Sequence, residues 1–333
     1  MQFTLQYPLG NSGSDPRFAQ PETVARVVQA AELAGFTAVA MTDHPAPSRK
    51  WLESGGHASF DPLTALAFCA AVTTRIRLMT HLLVLPYRNP LLAARQIATV
   101  DRLSDGRIDV VAGPGYLRSE FSALGVDYDS RGADFDEALE ILSRVFTDPE
   151  FRYEGKRFAA RGVAIEPGPV QLPHPPLWIG GNGRRARRRA AALGNGWSPV
   201  QLGSAGVRTT GTVSMDTDQE MRSAIEDLEG LIGSAGRTRS EVTVQLQSAR
   251  SSDIAAPHRD QLRQRIGELA NLGIDQLVMT TPDNDVEQCI DAIEAIGKEV
   301  LVEQAMPSDL NRNGSAQDTA LESSGVTTRK APQ

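Results

Sequence analysis

Ala38-Val39-Ala40-Met41-Thr42-Asp43-His44 is a short run of small and apolar residues that ends in two ionisable groups. An uninterrupted apolar run of this length reads as a parallel strand buried on both faces. Asp43 and His44 then stand at its carboxyl end, where α/β barrels and doubly wound sheets place their chemistry. Pro45-Ala46-Pro47, Trp51 and Gly55-Gly56-His57 follow at once. A proline-stiffened loop that carries an indole and a second imidazole reads as the wall of a pocket rather than a simple turn.

The same rhythm of strand and helix extends in both directions. Strands are expected at 2–7, 37–42, 76–85, 107–112, 176–180, near 196–200, and at 241–247 and 275–280. Helices are expected at 21–34, 62–73, 90–103, 132–147, 183–193, 216–234, 258–272 and 284–302. Val24, Val27, Val28 and Ala31 share one face of the first helix, and Gly35 ends it. Asp61 and Pro62 open the second as N-cap and first helical residue. Eight apolar strands alternating with helices predict a (β/α)8 TIM barrel with insertions; a doubly wound open sheet is the alternative. Segment 148–175 reads as irregular, with short strands. The barrel is expected to be one domain over 1–305. Residues 306–333 lack any aromatic residue and are rich in Ser, Thr, Asn and Gln, which predicts a disordered tail.

Composition narrows the function classes. The chain of 333 residues has 34 basic and 41 acidic side chains and a formal net charge of -7, which argues against nucleic acid or an anionic membrane as its main partner. No apolar run approaches the roughly 18 residues of a membrane span. The start, Met1-Gln2-Phe3-Thr4-Leu5-Gln6-Tyr7, alternates like a strand and has no signal-peptide pattern. Cys69 and Cys289 lie in expected helices and fit a reducing cytoplasm. His44, His57, His81, His174 and His258 show no metal-ligand spacing, so no metal is expected.

Four segments could carry chemistry. His44 could act as a general acid or base, because imidazole titrates near neutrality; Asp43 could equally cap a turn while His44 packs. His81 lies within Met79-Thr80-His81-Leu82-Leu83-Val84, either as a core histidine or at the barrel mouth. Gly113-Pro114-Gly115-Tyr116 ends the fourth strand, where glycines would let a ligand approach the backbone; Glu120 follows. Ile179-Gly180-Gly181-Asn182-Gly183 leads into the helix with Arg184, Arg185, Arg187, Arg188 and Arg189. That glycine-rich helix start could bind a phosphate or be a tight turn. It is neither a P-loop nor a dinucleotide fingerprint.

Taken in order, Thr42-Asp43-His44-Pro45, Gly55-Gly56-His57, Leu85-Pro86-Tyr87-Arg88-Asn89-Pro90, Leu103-Ser104-Asp105-Gly106-Arg107, Gly113-x-Gly115-Tyr116 with Glu120, and Ile179-Gly180-Gly181-Asn182 resemble the luciferase-like monooxygenase superfamily. Within it the chain resembles the oxidoreductases that use the deazaflavin coenzyme F420. The resemblance spans residues 1–302 and implies a barrel, often dimeric, so a homodimer is expected. It implies that Thr80, His81 and Leu82 form a bulge behind the flavin-like ring, often with a non-prolyl cis peptide. Gly113, Gly115 and Tyr116 would line the cofactor, and Gly180, Gly181 and Asn182 would hold its phosphate. His44 would handle a proton beside the ring, oriented by Asp43, with Trp51 and His57 shaping the substrate side. The glucose-6-phosphate dehydrogenases of this group carry a Glu where this chain has Tyr116, so that substrate is not adopted.

The implied activity is hydride transfer between F420 and a small organic substrate. An FMN-dependent monooxygenase, which would need a separate flavin reductase, and a flavin- or deazaflavin-binding protein without turnover are the alternatives. The basic helix leans toward F420, whose oligoglutamate tail is acidic.

Overall fold

The computed structural model describes residues 1–10, 13–248 and 259–301. The expected disordered tail, 306–333, and His258 lie outside the described residues. Eight parallel strands close on themselves: β1 Gln2–Gln6, β2 Ala38–Met41, β3 Arg77–Val84, β4 Ile108–Gly113, β5 Leu177–Gly180, β6 Gly196–Ser198, β7 Thr243–Ser248 and β8 Gln276–Met279. Each pairs with the next, and β8 returns to β1 with Gln2 opposite Gln276 and Leu5 opposite Met279. The fold is therefore the expected (β/α)8 barrel, and the open-sheet alternative falls.

Residues alternate along the strands between two environments, as the strand period of two demands. Phe3, Leu5, Val39, Met41, Leu78, Val110, Leu177, Ile179, Val244, Leu246 and Leu277 join one large core. That core also takes in the buried faces of the surrounding helices, such as Val24, Val27, Val28 and Ala31 of Pro21–Ala34. Gly35, at φ 93°, ends this helix, as its position in the sequence predicts. The residues in between form a smaller apolar cluster of Ala38, Ala40, Met79, Val111 and Trp178, with Leu82 packed against it. Beside that cluster lie buried polar side chains, Thr4, Gln6, His81, Ser198, Gln245 and Gln276.

The observed elements refine several expected boundaries. The strand expected near 196–200 is two pieces, β6 and Val200–Gln201, and the last helix, Val286–Ile296, continues as a wider turn over Gly297–Leu301. Within 148–175 an antiparallel hairpin pairs Phe151–Glu154 with Ala159–Val163. Arg49–Glu53, Arg118–Ala123 and Ser204–Thr210 are short helices, of which the sequence announces only the second, by a helix start at Ser119-Glu120-Phe121. The first two carry Trp51 and Glu120 to the carboxyl end of the barrel.

Candidate active site

β2 ends at Met41, and the backbone then leaves the sheet as Thr42-Asp43-His44. Asp43 is buried and anchors this exit. Its carboxylate receives both ends of the Arg88 guanidinium, at 2.5 and 2.9 Å, and the Val84 amide at 2.9 Å. A bidentate arginine pair of this kind is strong and directional. Asp43 thus ties the end of β2 to the end of β3, and the expectation that it orients His44 is corrected. The carboxylate that meets His44 comes from another strand-end loop.

That carboxylate is Glu120, whose side chain is 1% exposed. Its Oε2 lies 3.2 Å from His44 Nδ1 and accepts the Tyr87 hydroxyl at 2.9 Å, while its Oε1 accepts the Ala46 amide at 3.2 Å. An ionised carboxylate only accepts, so Nδ1 of His44 carries the donated proton and Nε2 is the ring nitrogen with an uncommitted lone pair. Ser59 holds the His44 backbone from the other side, with its hydroxyl accepting from the amide at 2.8 Å and donating to the carbonyl at 3.2 Å. Burial and the neighbouring Glu120 push the Tyr87 phenol well above its ordinary range, so Tyr87 stays a donor.

Around the His44 ring stand three more. Trp51 lies 4.6 Å away between centroids, His57 at 4.9 Å edge to face, and Tyr116 at 5.9 Å edge to face. The Gly56 backbone lies so close to the Trp51 indole that a Cβ there would collide with it, which accounts for a glycine in that loop. His57 directs Nδ1 to the Ala58 carbonyl at 3.0 Å, so it too is protonated at Nδ1. Burial, and secondarily the nearby His44, hold its pKa below the usual imidazole value. Burial, then Glu120, raises the Tyr116 phenol to about 12.

β3 carries a bulge: Thr80 sits opposite Val110 and Leu83 opposite Ala112, so His81 and Leu82 together face Val111. The peptide between His81 and Leu82 is cis. This bulge sends Leu82 over the inner apolar cluster, between Gly113 and Gly180. A Cβ on Gly113 would lie 2.8 Å from Leu82 Cδ1. The two glycines therefore make room for a side chain of the protein itself. Both ring nitrogens of His81 have partners: Nδ1 lies 3.1 Å from Gln6 Oε1, and Nε2 lies 3.1 Å from Ser198 Oγ, whose single proton serves either Nε2 or Gln245 Oε1 at 2.9 Å. Burial alone depresses its pKa to about 4, so it is neutral at pH 7. The Thr80 hydroxyl donates to the Val111 carbonyl at 2.8 Å.

Beyond β5 the backbone turns through Gly181, at φ 113°, whose carbonyl accepts the Trp197 indole N–H at 2.8 Å. Asn182 is buried, and its side chain staples the backbone: Nδ2 donates to the Val200 and Val213 carbonyls at 2.8 Å each, and Oδ1 accepts the Val200 amide at 2.9 Å. That leaves its side chain no donor for a phosphate, so only the backbone of Asn182 is left for the role expected of it. The helix Arg184–Leu193 starts at Gly183 without a side-chain cap, and nothing lies within 4 Å of where a Gly183 Cβ would be. In the basic run, Arg184 and Arg187 both bind Asp227, and Arg189 binds Asp136. Among the described residues no cluster of His, Cys, Asp and Glu could hold a metal ion, and no helix is long and apolar enough to cross a membrane.

Comparison with known proteins places this geometry. The family model for luciferase-like monooxygenase matches residues 1–253. This chain belongs to the luciferase-like monooxygenase family. Among curated relatives, it is 32% identical over 126 residues to the FMNH2-dependent dimethylsulfone monooxygenase of Pseudomonas putida, covering 37% of this chain and 34% of that protein. It is 30% identical over 202 residues to the F420-dependent glucose-6-phosphate dehydrogenase of Segniliparus rotundus, covering 58% and 57%. The match thus spans less than two thirds of either relative. The solved structure of monooxygenase RslO1 from Streptomyces bottropensis shares the fold, with a TM-score of 0.76 at 21% identity over 92% of this chain and all of that one. The two curated relatives are named for different cofactors, FMNH2 in one and F420 in the other.

Set against this luciferase-like barrel, the residues singled out in the sequence divide in two. His44, Trp51, His57 and Tyr116 come together in one cluster of rings. Thr80, His81, Leu82, Gly113 and Gly180 meet around the β3 bulge, with Gly115 beside Val84 and Phe121, and Gly181 and Asn182 shape the turn after β5. In the sequence Glu120 is only a residue after the Gly-x-Gly-Tyr turn, and Tyr87 and Arg88 belong to the Leu85–Pro90 motif without a role of their own. The apolar periodicity around Glu120 marks only a helix start. A buried acid four residues past the Gly-x-Gly-Tyr turn is the signal that could have found it.

Proposed function

We propose that this protein is an F420-dependent oxidoreductase that moves a hydride to or from a carbon bearing a hydroxyl or carbonyl oxygen. The observation that carries the proposal is the contact of His44 Nδ1 with buried Glu120 at 3.2 Å, which implies an Nδ1–H tautomer and leaves the Nε2 lone pair for substrate. The uncapped helix start at Gly183, with open space beside it, fits the cofactor phosphate through backbone N–H groups. The Leu82 surface of the β3 bulge fits the flat ring. A bound deazaflavin supplies the hydride acceptor or donor.

The protein's own residues supply the proton. When the substrate is an alcohol, His44 Nε2 takes the hydroxyl proton as the carbon gives up its hydride. In the reverse direction the imidazolium returns that proton to the carbonyl oxygen. Glu120 holds the ring in the productive tautomer and faces the positive charge that forms. Trp51, Tyr116 and His57 wall the substrate in. This lining of imidazole, indole and phenol suits an oxygen-bearing substrate better than the apolar chamber that oxygen activation on FMN calls for. Three of the five arginines are already paired with Asp136 and Asp227, so the basic helix adds little support for the acidic tail of F420.

A binding titration of the purified protein with F420, FMN and NADPH tests the reading. F420 should bind tightest, and substrate panels should then show turnover. Tighter binding of FMN would overturn the cofactor, and tight F420 binding without redox change across a broad alcohol and ketone panel would favour a carrier. The homodimer belongs to the same proposal, and light scattering of the full chain checks it.

A further inference from the structure

His57 has one ring nitrogen unexplained by any structural duty. Nδ1 is spent on the Ala58 carbonyl, leaving the Nε2 lone pair, and the ring stands edge to face with His44 at 4.9 Å. At that centroid separation one bridging water could carry a proton between the two imidazoles. Both rings are partly buried, the His44 side chain being 9% exposed; they differ in their neighbours, since His57 follows buried Gly56 and bonds the carbonyl of exposed Ala58. A proton captured by His44 has Glu120 behind it, Trp51 and Tyr116 on its flanks, and His57 toward water. The titratable groups facing His57 are His44 and, beyond it, Glu120; Trp51 packs 5.5 Å from its ring and carries no charge.

We propose that His57 is the exit for the proton that His44 handles: the two imidazoles hold a single proton between them, and His57 passes it to water. The direction of that transfer rests on the hydride reading above; the pairing of the rings does not. Each alcohol oxidised leaves one proton on His44 Nε2. That proton moves to His57 Nε2 and then to a solvent base, which restores neutral His44 for the next turnover. Protonating both rings at once is opposed by like-charge repulsion in a partly buried site.

The test reads the histidines themselves, by 15N NMR of the histidine-labelled full-length protein across pH, without cofactor. His44 and His57 should both appear as Nδ1–H tautomers. His44→Gln and His44→Phe should each raise the His57 titration by at least about 0.5 of a pH unit, from Coulomb's law at 4.9 Å even with water-like screening. Glu120→Gln should lower it, because the carboxylate favours a proton on His57. Opposite signs in the two kinds of variant could not come from general loosening of the fold. An unchanged His57 titration in both His44 variants, or an Nε2–H tautomer at His57, overturns the pair. For the exit role, His57→Gln should lose turnover with F420 in dilute buffer and recover it on adding imidazole. Full turnover of that variant in dilute buffer overturns the exit. A wild-type protein that turns over no substrate with F420 would overturn the hydride reading instead, while the NMR signs still decide the pair.

Discussion

Two histidines in this barrel meet the polar interior in opposite ways. His81, on the β3 bulge, has both ring nitrogens bonded, to Gln6 and Ser198, and burial has pushed its pKa to about 4. His44, at the end of β2, has one nitrogen held by a buried carboxylate and the other left over. His81 is part of a buried network that continues through Gln245 to Thr4 and Gln276, and only Gln276 Oε1 at its far end lacks a partner among the described residues. His44 belongs to an open one, whose last acceptor faces a ring-lined space. An imidazole can do chemistry only with an atom that the fold has not already used. The same contrast separates the two acids nearby: Asp43 spends both oxygens on Arg88, and Glu120 uses its own to aim a base.

The contrast breaks most sharply at His44 itself. His44→Ala should lower kcat by about 10²–10⁴-fold, the usual range for losing a general acid–base, with F420 affinity unchanged. Steady-state kinetics beside a binding titration checks this, and full turnover with normal affinity would remove His44 from the mechanism. On the buried side the largest effect should be on stability. Arg88→Met leaves Asp43 buried without its cation and should cost about 3–5 kcal/mol, read as a lower midpoint in urea. Because Asp43 does not hold His44, such kcat as remains in the folded fraction should be close to that of the wild type.

These pairings show where sequence reading stops. The barrel was legible because strand and helix periodicities are local: Val24, Val27, Val28 and Ala31 declare a helix face without reference to anything else. Asp61 and Pro62 are equally local, and Asp61 does accept the Thr64 amide at 2.8 Å. The ring cluster was half legible. His44, Trp51 and His57 share one loop, and Tyr116 joined them only through a family resemblance. The partner of His44 was not legible, because Asp43 is adjacent in sequence and Glu120 is 76 residues away. A side chain next in the chain after a strand end points in a different direction from its neighbour, so adjacency favoured the wrong acid. The glycines misled for a related reason. A turn that needs room looks the same in sequence whether the visitor is a ligand or Leu82.

The buried network makes a pH prediction of its own. In the folded protein His81 takes a proton only near pH 4; in the unfolded chain an ordinary histidine does so near 6.5. Between those values the unfolded state binds the extra proton, so stability rises with pH across that window and falls as the pH is lowered through it. The full contribution is on the order of 3 kcal/mol, present above the unfolded pKa and lost by about pH 4. Carboxylates titrate over part of the same range, so the measurement is a difference. Urea denaturation of wild type and His81→Gln from pH 4 to 7 should give a flatter profile for the variant. An equal slope in both would mean that His81 takes up its proton in the folded state, and burial would not keep it neutral.

Glu120→Gln asks the smallest change and sharpens the comparison furthest. Oε2 of Glu120 faces two donors, His44 Nδ1–H and the Tyr87 hydroxyl, and Oε1 faces the Ala46 amide. A glutamine has one acceptor oxygen where the carboxylate has two. With that oxygen toward Ala46, its NH2 meets His44 Nδ1 and drives the ring to the Nε2–H tautomer, which cannot take a proton from substrate. With the oxygen toward His44, the Ala46 amide loses its acceptor in a buried site, at a cost of about 1–3 kcal/mol. Either arrangement degrades the base without touching the substrate wall. The expected result is a loss of about 10–100-fold in kcat, by analogy with the carboxylates that orient metal-bound histidines, with KM nearly unchanged. The His44 tautomer, read by 15N NMR, separates the two arrangements. The His81 resonances should stay where they are, because the two networks share no atom. If they move with Glu120→Gln, the two histidines belong to one hydrogen-bonded system, and what distinguishes them is position along a single relay rather than membership of separate ones.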